Sequence, residues 1–367
     1  MKIYSAAEVL RVARRLNNAR RNYLLVNPLQ GKHLPVSPTR ALDMMSALGV
    51  KVAQKFSAAR LVIGFAETAT AIGAVVAKNL SDECFYLQTT RENLSGRFVD
   101  FMEEHSHAPE QKLCADNLPA ALNRTEAVVF VDDEFSTGKT LLNIVRRLKA
   151  EFPALADKKI CAASIINRLS EENLAALASE NISCAYLVKL NQDFDAEKFS
   201  ITEASAITPA RKNFSLHKIN FTAEPRRGVA IGKYFSQCEA AGNFIVDALR
   251  RAGISGEVAI LGTEEFMLPA LIAGRRLEAE NFTVVTHSTT RSPIGISRDE
   301  NYPIRVGFKL RSFYDATRPT FIYNLRRCDA AIIMTDAQNF SAGLDDLIAA
   351  LNVDEIFCVE VEHVRDV

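Results

Sequence analysis

Val128-Val129-Phe130-Val131-Asp132-Asp133-Glu134-Phe135-Ser136-Thr137-Gly138-Lys139-Thr140 is the stretch from which the fold of this chain is read. Four apolar residues in a row make a strand buried on both faces, and the amphipathic run 141–149 that follows makes a helix. A buried strand turning directly into a helix is the building unit of a parallel sheet covered by helices, an α/β fold. In such sheets ligands bind at the carboxyl ends of the strands, and the amides at a helix start attract phosphate. Ser136, Thr137 and Thr140 add hydroxyl donors at that point, and Gly138 lets the backbone come close. The carboxylates of Asp132 and Asp133 would repel a phosphate, so they are expected to face another part of the ligand; a sugar diol, with Mg2+ nearby, suits them. Gly138-Lys139-Thr140 imitates the end of a Walker A loop, but that motif needs a glycine where Asp133 stands.

Outward from this stretch, short apolar runs alternate with amphipathic ones over residues 61–189, and the rhythm returns after Gly228. Strands are expected near 61–65, 84–88, 127–131, 159–165 and 184–188, then at 258–261, 282–287, 330–335 and 356–361. Helices are expected at 243–251, 269–277 and 344–351. Two helices precede the first strand: one carries Val9, Leu10, Val12, Ala13 and Leu16 on one side, and the other is capped by Ser37 with Pro38 in its first turn. Residues 192–227 are polar and charge-mixed and read as a connection with room for one strand. The domains are therefore 1–210 and 225–367. The two halves also resemble one another: Gly64 and Glu67 answer Gly262 and Glu265, Thr89-Thr90-Arg91 answers Thr289-Thr290-Arg291, and Asp133 answers Asp336. A diverged internal repeat is expected.

Composition narrows the function classes. The 367 residues are 48% apolar, with 44 Lys plus Arg against 44 Asp plus Glu, so the formal charge is zero. A general basic surface for nucleic acid is excluded, and any anion site must be local. Arg11, Arg14, Arg15, Arg20 and Arg21 crowd the start and read as a solvated face or a dimer contact. No apolar run approaches the ~18–20 residues of a spanning helix, and the opening lacks a signal-peptide core, so a cytoplasmic protein without a membrane partner is expected. Seven cysteines are scattered without a C-x-x-C pair and read as reduced core thiols.

Residues 128–140 resemble the phosphoribosyl pyrophosphate (PRPP) signature of type I phosphoribosyltransferases, in which four hydrophobic residues precede two acidic ones and a Thr/Ser-Gly-x-Thr phosphate loop. The resemblance implies that Asp132 and Asp133 hold the ribose hydroxyls. It implies that Ser136, Thr137, Gly138, Lys139 and Thr140 wrap the 5-phosphate; Lys139 departs from the pattern, since a second glycine is common there. Gly64-Phe65-Ala66-Glu67-Thr68-Ala69 stands where these enzymes bind pyrophosphate, which assigns Ala66, Glu67, Thr68 and Ala69 to the leaving group, although an ordinary strand-to-helix turn reads the same. Glu67 suits pyrophosphate only through Mg2+. The segment around Gly31-Lys32-His33-Leu34-Pro35-Val36-Ser37-Pro38 resembles the hood (20–40) of orotate phosphoribosyltransferases and makes Lys32 and His33 candidates for acceptor recognition; a Pro-rich surface loop is the other reading.

Residues 89–115 stand where the family carries a mobile catalytic loop, so Arg91, His105, His107 or Lys112 is expected to meet the pyrophosphate, Arg91 and Lys112 foremost. A zinc site from His105, His107 and Cys114 fits no familiar spacing. Thr290-Arg291-Ser292-Pro293 resembles the Thr-Arg-Ser-Pro motif of the TRSP domain that follows an orotate-phosphoribosyltransferase-like domain in two-domain proteins of bacterial tellurite-resistance stress operons. There Glu265, Thr290, Arg291 and Ser292 form an anion or sugar site, or simply a polar turn. The implied activity is a Mg2+-dependent phosphoribosyltransferase acting on PRPP and an unidentified base-like acceptor, in a stress-response pathway making a nucleoside-like product, with a homodimer as the expected assembly. A non-catalytic PRPP sensor, or a C-terminal domain with chemistry of its own, are the alternatives.

Overall fold

The computed structural model describes residues 2–16, 21–102, 110–208 and 212–364; Arg20, His105 and His107 lie outside them. The chain opens with one helical turn, α1 (Ala6–Val9), and an antiparallel strand pair, β1 (Arg11–Arg14) and β2 (Tyr23–Val26). This corrects the amphipathic helix expected over Val9 to Leu16. Val12 pairs with Leu25 and Ala13 with Leu24, so a partner strand about ten residues away decides the conformation that the local period left open. Helix α2 (Pro38–Phe56) starts as its cap predicts, with Ser37 Oγ accepting the Arg40 amide at 3.4 Å.

The chain continues through β3 (Ala59–Gly64), α3 (Thr70–Leu80), β4 (Phe85–Gln88), β5 (Phe98–Met102), β6 (Glu110–Cys114), α4 (Leu118–Asn123) and β7 (Ala127–Phe135). After these come α5 (Lys139–Glu151), β8 (Lys159–Asn167), α6 (Glu171–Ser179) and β9 (Ile182–Lys189). Next are β10 (Ser205–Ala206), β11 (Ser215–Phe221), β12 (Val229–Ala230), α7 (Ile231–Arg251), β13 (Glu257–Gly262), α8 (Leu268–Ala279) and β14 (Thr283–Ser288). The chain ends with β15 (Gly307–Arg311), β16 (Pro319–Tyr323), β17 (Ala330–Thr335), α9 (Ser341–Ala350) and β18 (Glu355–His363). No described helix is long and apolar enough to cross a membrane.

Packing divides the chain into two compact units. The first comprises Met1–Ala6, Asp43–Gln192 and Ala223–Ser236, and the second Ala7–Leu42, Asp193–Thr222 and Gln237–Val367. In the first unit a six-stranded sheet has the order β12-β4-β3-β7-β8-β9, parallel throughout except for β12. Its core joins Leu61, Ile63, Val128, Phe130, Ile160 and Ala162 to Leu141, Ile144 and Leu148 of α5. Residues 89–115, read as a loop, contain the antiparallel hairpin β5–β6.

In the second unit a five-stranded, fully parallel sheet has the order β11-β18-β17-β13-β14. Strand β11 comes from the stretch read as a connection with room for one strand, which supplies β10 as well. Its alternating exposure marks an edge strand, whose polar outward residues hid it from a search for apolar runs. The hairpin β15–β16 was not foreseen either.

His287 on β14 is 2% exposed, and burial pushes its ring down to about 4, with a backbone bond at Tyr323 opposing and the charge of Arg326 adding to the shift. Between its usual pKa of 6.5 and about 4 the unfolded chain binds a proton that the folded chain refuses, so stability must fall as pH falls through that window. Going from pH 7 to pH 5, the wild type is expected to lose about 2 kcal/mol more than a His287→Leu variant. Denaturant melts at both pH values check this; equal losses in the two proteins would refute it.

Candidate functional site

Strand β7 is anchored on both sides where it is apolar and on one side where it is acidic. Val128, Val129, Phe130 and Val131 are fully buried, with Phe130 opposite Ile63 on β3 and Ala162 on β8. Strand β3 stops at Gly64, opposite Val131, whereas β7 runs on to Phe135 against β8 alone. Asp132, Asp133 and Glu134 therefore stand half-buried past the end of β3. The Asp133 amide donates to Asp132 Oδ1 at 2.9 Å, which sets the angle of that carboxylate. Glu134 is ion-paired with Arg168 at 3.3 Å, and Arg168 also donates to the Gln192 carbonyl.

The turn after β7 depends on one glycine. Gly138 has φ +72° and caps α5, and a Cβ there would meet Leu169 Cδ2 at 3.1 Å. The left-handed backbone disfavours a side chain, and Leu169 would have to give way to one. Lys139, where the resembling enzymes often have a second glycine, is the exposed first residue of α5, a conformation open to any side chain. Ser136, Thr137 and Thr140 lie half-buried around this helix start, with Thr137 Oγ1 accepting the Lys139 amide at 3.4 Å. The loop supplies hydroxyls and helix-start amides, the donor set that a phosphate monoester requires.

A second turn lies beside the first. Phe65 N donates to Val131 O at 2.9 Å, so the chain leaving β3 stays on β7 for one more residue. Thr89 Oγ1 then accepts the Ala66 amide at 2.7 Å and donates to Gln111 Oε1, while Gln111 Nε2 donates to the Ala66 carbonyl at 2.8 Å. This closed ring is buried at every member. The Ala66–Glu67 peptide is cis, Glu67 is 7% exposed, Thr68 half-buried and Ala69 fully buried. Thr89 and Gln111 brace this turn, a role the sequence reading missed: it quoted Thr89 only within a repeated tripeptide and gave Gln111 no part.

The Thr90 and Lys112 backbones exchange bonds of 2.9 and 2.8 Å, which ties the hairpin to the strand edge next to Arg91 in the chain. Lys112 Nζ donates to Asn93 Oδ1 at 2.8 Å. Cys114 is buried beside Asp116, and burial raises its thiol pKa; His105 and His107, its companions in the zinc reading, lie outside the described residues.

Lys32 and His33 are buried in the second unit. Lys32 Nζ donates to the carbonyls of Glu264 at 2.7 Å and Thr289 at 3.0 Å, an anchoring contact inside that unit. Around Thr290-Arg291-Ser292, Thr290 pairs with Phe321 and its Oγ1 accepts the Ser292 amide at 3.2 Å. Arg291 bonds Glu264, with Nε 2.7 Å from Oε2, whereas Glu265 stays 4.0 Å from Nη2. Sequence reading chose Glu265 of the two neighbours. Glu264, at φ +47°, is the nearer partner, a contact that no pattern announces.

Gly138→Ala is expected to cost at least about 1 kcal/mol, from the φ penalty and the Leu169 contact together. Thermal melts of the two proteins measure it; an unchanged melting temperature would show that the turn does not need its glycine.

A family model described as phosphoribosyl transferase matches residues 9–192, and one described as the TRSP domain C-terminal to it matches residues 226–351. Among solved structures, an adenine phosphoribosyltransferase from Rhodothermus marinus is 13% identical with TM-score 0.34, covering 50% of this chain and 96% of that one. Orotate phosphoribosyltransferase from Aeropyrum pernix is 17% identical with TM-score 0.32, covering 50% and 89%. Adenine phosphoribosyltransferase from Trypanosoma brucei, solved with AMP, pyrophosphate and ribose-5-phosphate, is 13% identical with TM-score 0.37, covering 49% and 76%. No curated protein matches the chain. With residues 9–192 matched by the one model and the acidic pair, phosphate turn and second strand-end turn gathered within that span, the chain belongs to the phosphoribosyl transferase family and carries a TRSP domain after its transferase domain.

Proposed function

We propose that the first unit transfers a ribosyl phosphate from PRPP to a nitrogen of a base-like acceptor and releases pyrophosphate. The observation that carries this reading is that β7 outruns β3, so that two carboxylates and a glycine-pivoted, hydroxyl-rich helix start share one sheet edge. Asp132 and Asp133 accept hydrogen bonds from the ribose hydroxyls. The hydroxyls and amides of residues 136–140 hold the 5-phosphate at the other end of the sugar. The bond from C1 to the pyrophosphate oxygen breaks as the bond from C1 to the acceptor nitrogen forms, through a cationic, oxocarbenium-like sugar, and the acceptor loses its proton.

The pyrophosphate departs toward residues 66–69, whose backbone the Thr89–Gln111 ring keeps rigid. Arg91 and Lys112 meet the charge that builds on it. Positioning and fixed electrostatics supply most of such an acceleration. Asp132, Asp133 and Glu67 offer the hard oxygen donors that Mg2+ prefers, and the ion, bound with the pyrophosphate, would neutralise the leaving group. The β5–β6 hairpin stands where it can shield an activated sugar from water. The resemblance to tellurite-operon proteins supports a stress-response role for the product.

Incubating the protein with Mg-PRPP and a cell extract, with mass detection of any new ribosyl phosphate, tests the reading. Pyrophosphate release alongside a new product is the expected result. Asp133→Asn is expected to lower turnover by about a hundredfold or more while the melting temperature stays within a few degrees. A variant with full activity would remove the diol role. PRPP binding without pyrophosphate release, across extracts and purified bases, would turn the reading to a PRPP sensor.

A further inference from the structure

The two units repeat one another bond for bond at their sheet edges. The strand order β4-β3-β7-β8 of the first unit recurs as β14-β13-β17-β18 in the second, parallel in both, and each unit carries an antiparallel hairpin between the second and third of these strands in the chain. Thr89 N donates to Gly64 O at 2.9 Å, and Thr289 N to Gly262 O at 3.1 Å. Thr89 Oγ1 accepts the Ala66 amide, and Thr289 Oγ1 accepts the Glu264 amide at 3.0 Å. Thr90 pairs with Lys112 on its hairpin as Thr290 pairs with Phe321 on the other. The carbonyl of Ala66 takes Gln111, and that of Glu264 takes Lys32. Position 264 is thus the counterpart of position 66, and Arg291 is the counterpart of Arg91.

What differs is what fills the edge. At position 66 the first unit has a methyl group. At position 264 the second has a fully buried carboxylate on a strained, left-handed backbone. Its Oε2 lies 2.7 Å from Arg291 Nε and 3.0 Å from Arg318 Nη2, and Ser312 Oγ donates to Oε1. Two guanidiniums and a hydroxyl converging on one anion form the coordination shell of a phosphoryl group. Asp336, the counterpart of Asp133, likewise accepts from Tyr314 Oη and lies 3.1 Å from His363 Nε2. The phosphate turn has no counterpart: α9 begins at Ser341, and Gly343 lies within the helix against Phe313.

We propose that the second unit holds a latent pyrophosphate-type anion pocket, formed by Arg291, Arg318 and Ser312 and occupied by the chain's own Glu264 carboxylate. The wild-type second unit therefore takes no phosphorylated ligand. If the first unit binds PRPP as proposed above, the chain binds one per molecule and not two. Other groups facing the pocket are Glu265, 4.0 Å from Arg291, and Asp315, whose carboxyl is held low first by Thr317 and then by Arg318 and Arg291. Both already draw on the charge of the arginines, so an anion entering the pocket competes with them.

Calorimetry with inorganic pyrophosphate on the full-length protein tests this, comparing wild type, Glu264→Ala and Glu264→Ala combined with Arg291→Ala. Glu264→Ala is expected to bind one pyrophosphate per chain more than wild type, whatever the first unit binds, and the added arginine change is expected to abolish that extra site. A wild type that already fills a second site dependent on Arg291, or a folded Glu264→Ala that gains none, would overturn the proposal. Removing one partner of a buried ion triad risks unfolding. Glu264→Gly suits the left-handed backbone at that position and empties the pocket; it is expected to fold and to be stabilised against heat by millimolar pyrophosphate more than wild type is. Were Glu264→Ala unfolded, a Glu264→Gly protein with no such gain would equally sink the idea. A failed PRPP assay with a gained pyrophosphate site would count against the first unit's activity alone.

Discussion

Parallel pairing of β3 with β7 governs the first unit. It brings the carboxyl ends of both strands to one edge, and because β3 ends opposite Val131 while β7 continues to Phe135, the edge is a step and not a flat rim. The fully buried residues 128–131 hold the strand in register. A one-residue slip would move every side chain to the opposite face and exchange the faces that Asp132 and Asp133 present. The chemistry of Asp132 and Asp133 is therefore set by four apolar residues that never touch a ligand.

The same constraint, repeated, explains the second unit. Threonine hydroxyls at positions 89 and 289 fix the turn that follows the first strand, and the following threonines fasten the hairpin. The two edges differ at this turn in backbone and side chain alike, with a cis Ala66–Glu67 peptide in the first unit and a left-handed Glu264 in the second. One fold thus carries two different turns at the same edge.

Much of this was legible in advance. The buried strands over 127–131, 159–165, 258–261 and 330–335 all exist, most of them extending a residue or more further, because long apolar runs bury themselves in any environment. The Ser37–Pro38 helix start and the tripeptide pair Thr89-Thr90-Arg91 and Thr289-Thr290-Arg291 held for local reasons, a cap and a repeated hydrogen-bond pattern. The segment of Val9 to Leu16 was not legible, since its apolar spacing suits a helix and a strand equally and β2 decided between them. Strands β11 and β15 escaped because half-exposed strands leave no apolar run, and β16 because its run of Phe321-Ile322-Tyr323, though buried, is only three residues long.

By itself the sequence determined the α/β class, the acidic pair and the glycine pivot, since each follows from short-range chemistry: apolar runs, strand-to-helix turns and a φ open only to glycine. Tertiary structure alone decided that Gln111 closes the Ala66 turn, that Lys32 anchors the second unit, and that Glu264 comes nearer to Arg291 than Glu265 does. Those contacts join residues far apart in the chain, or hang on one backbone angle. Long-range geometry of that kind leaves no trace in composition or spacing.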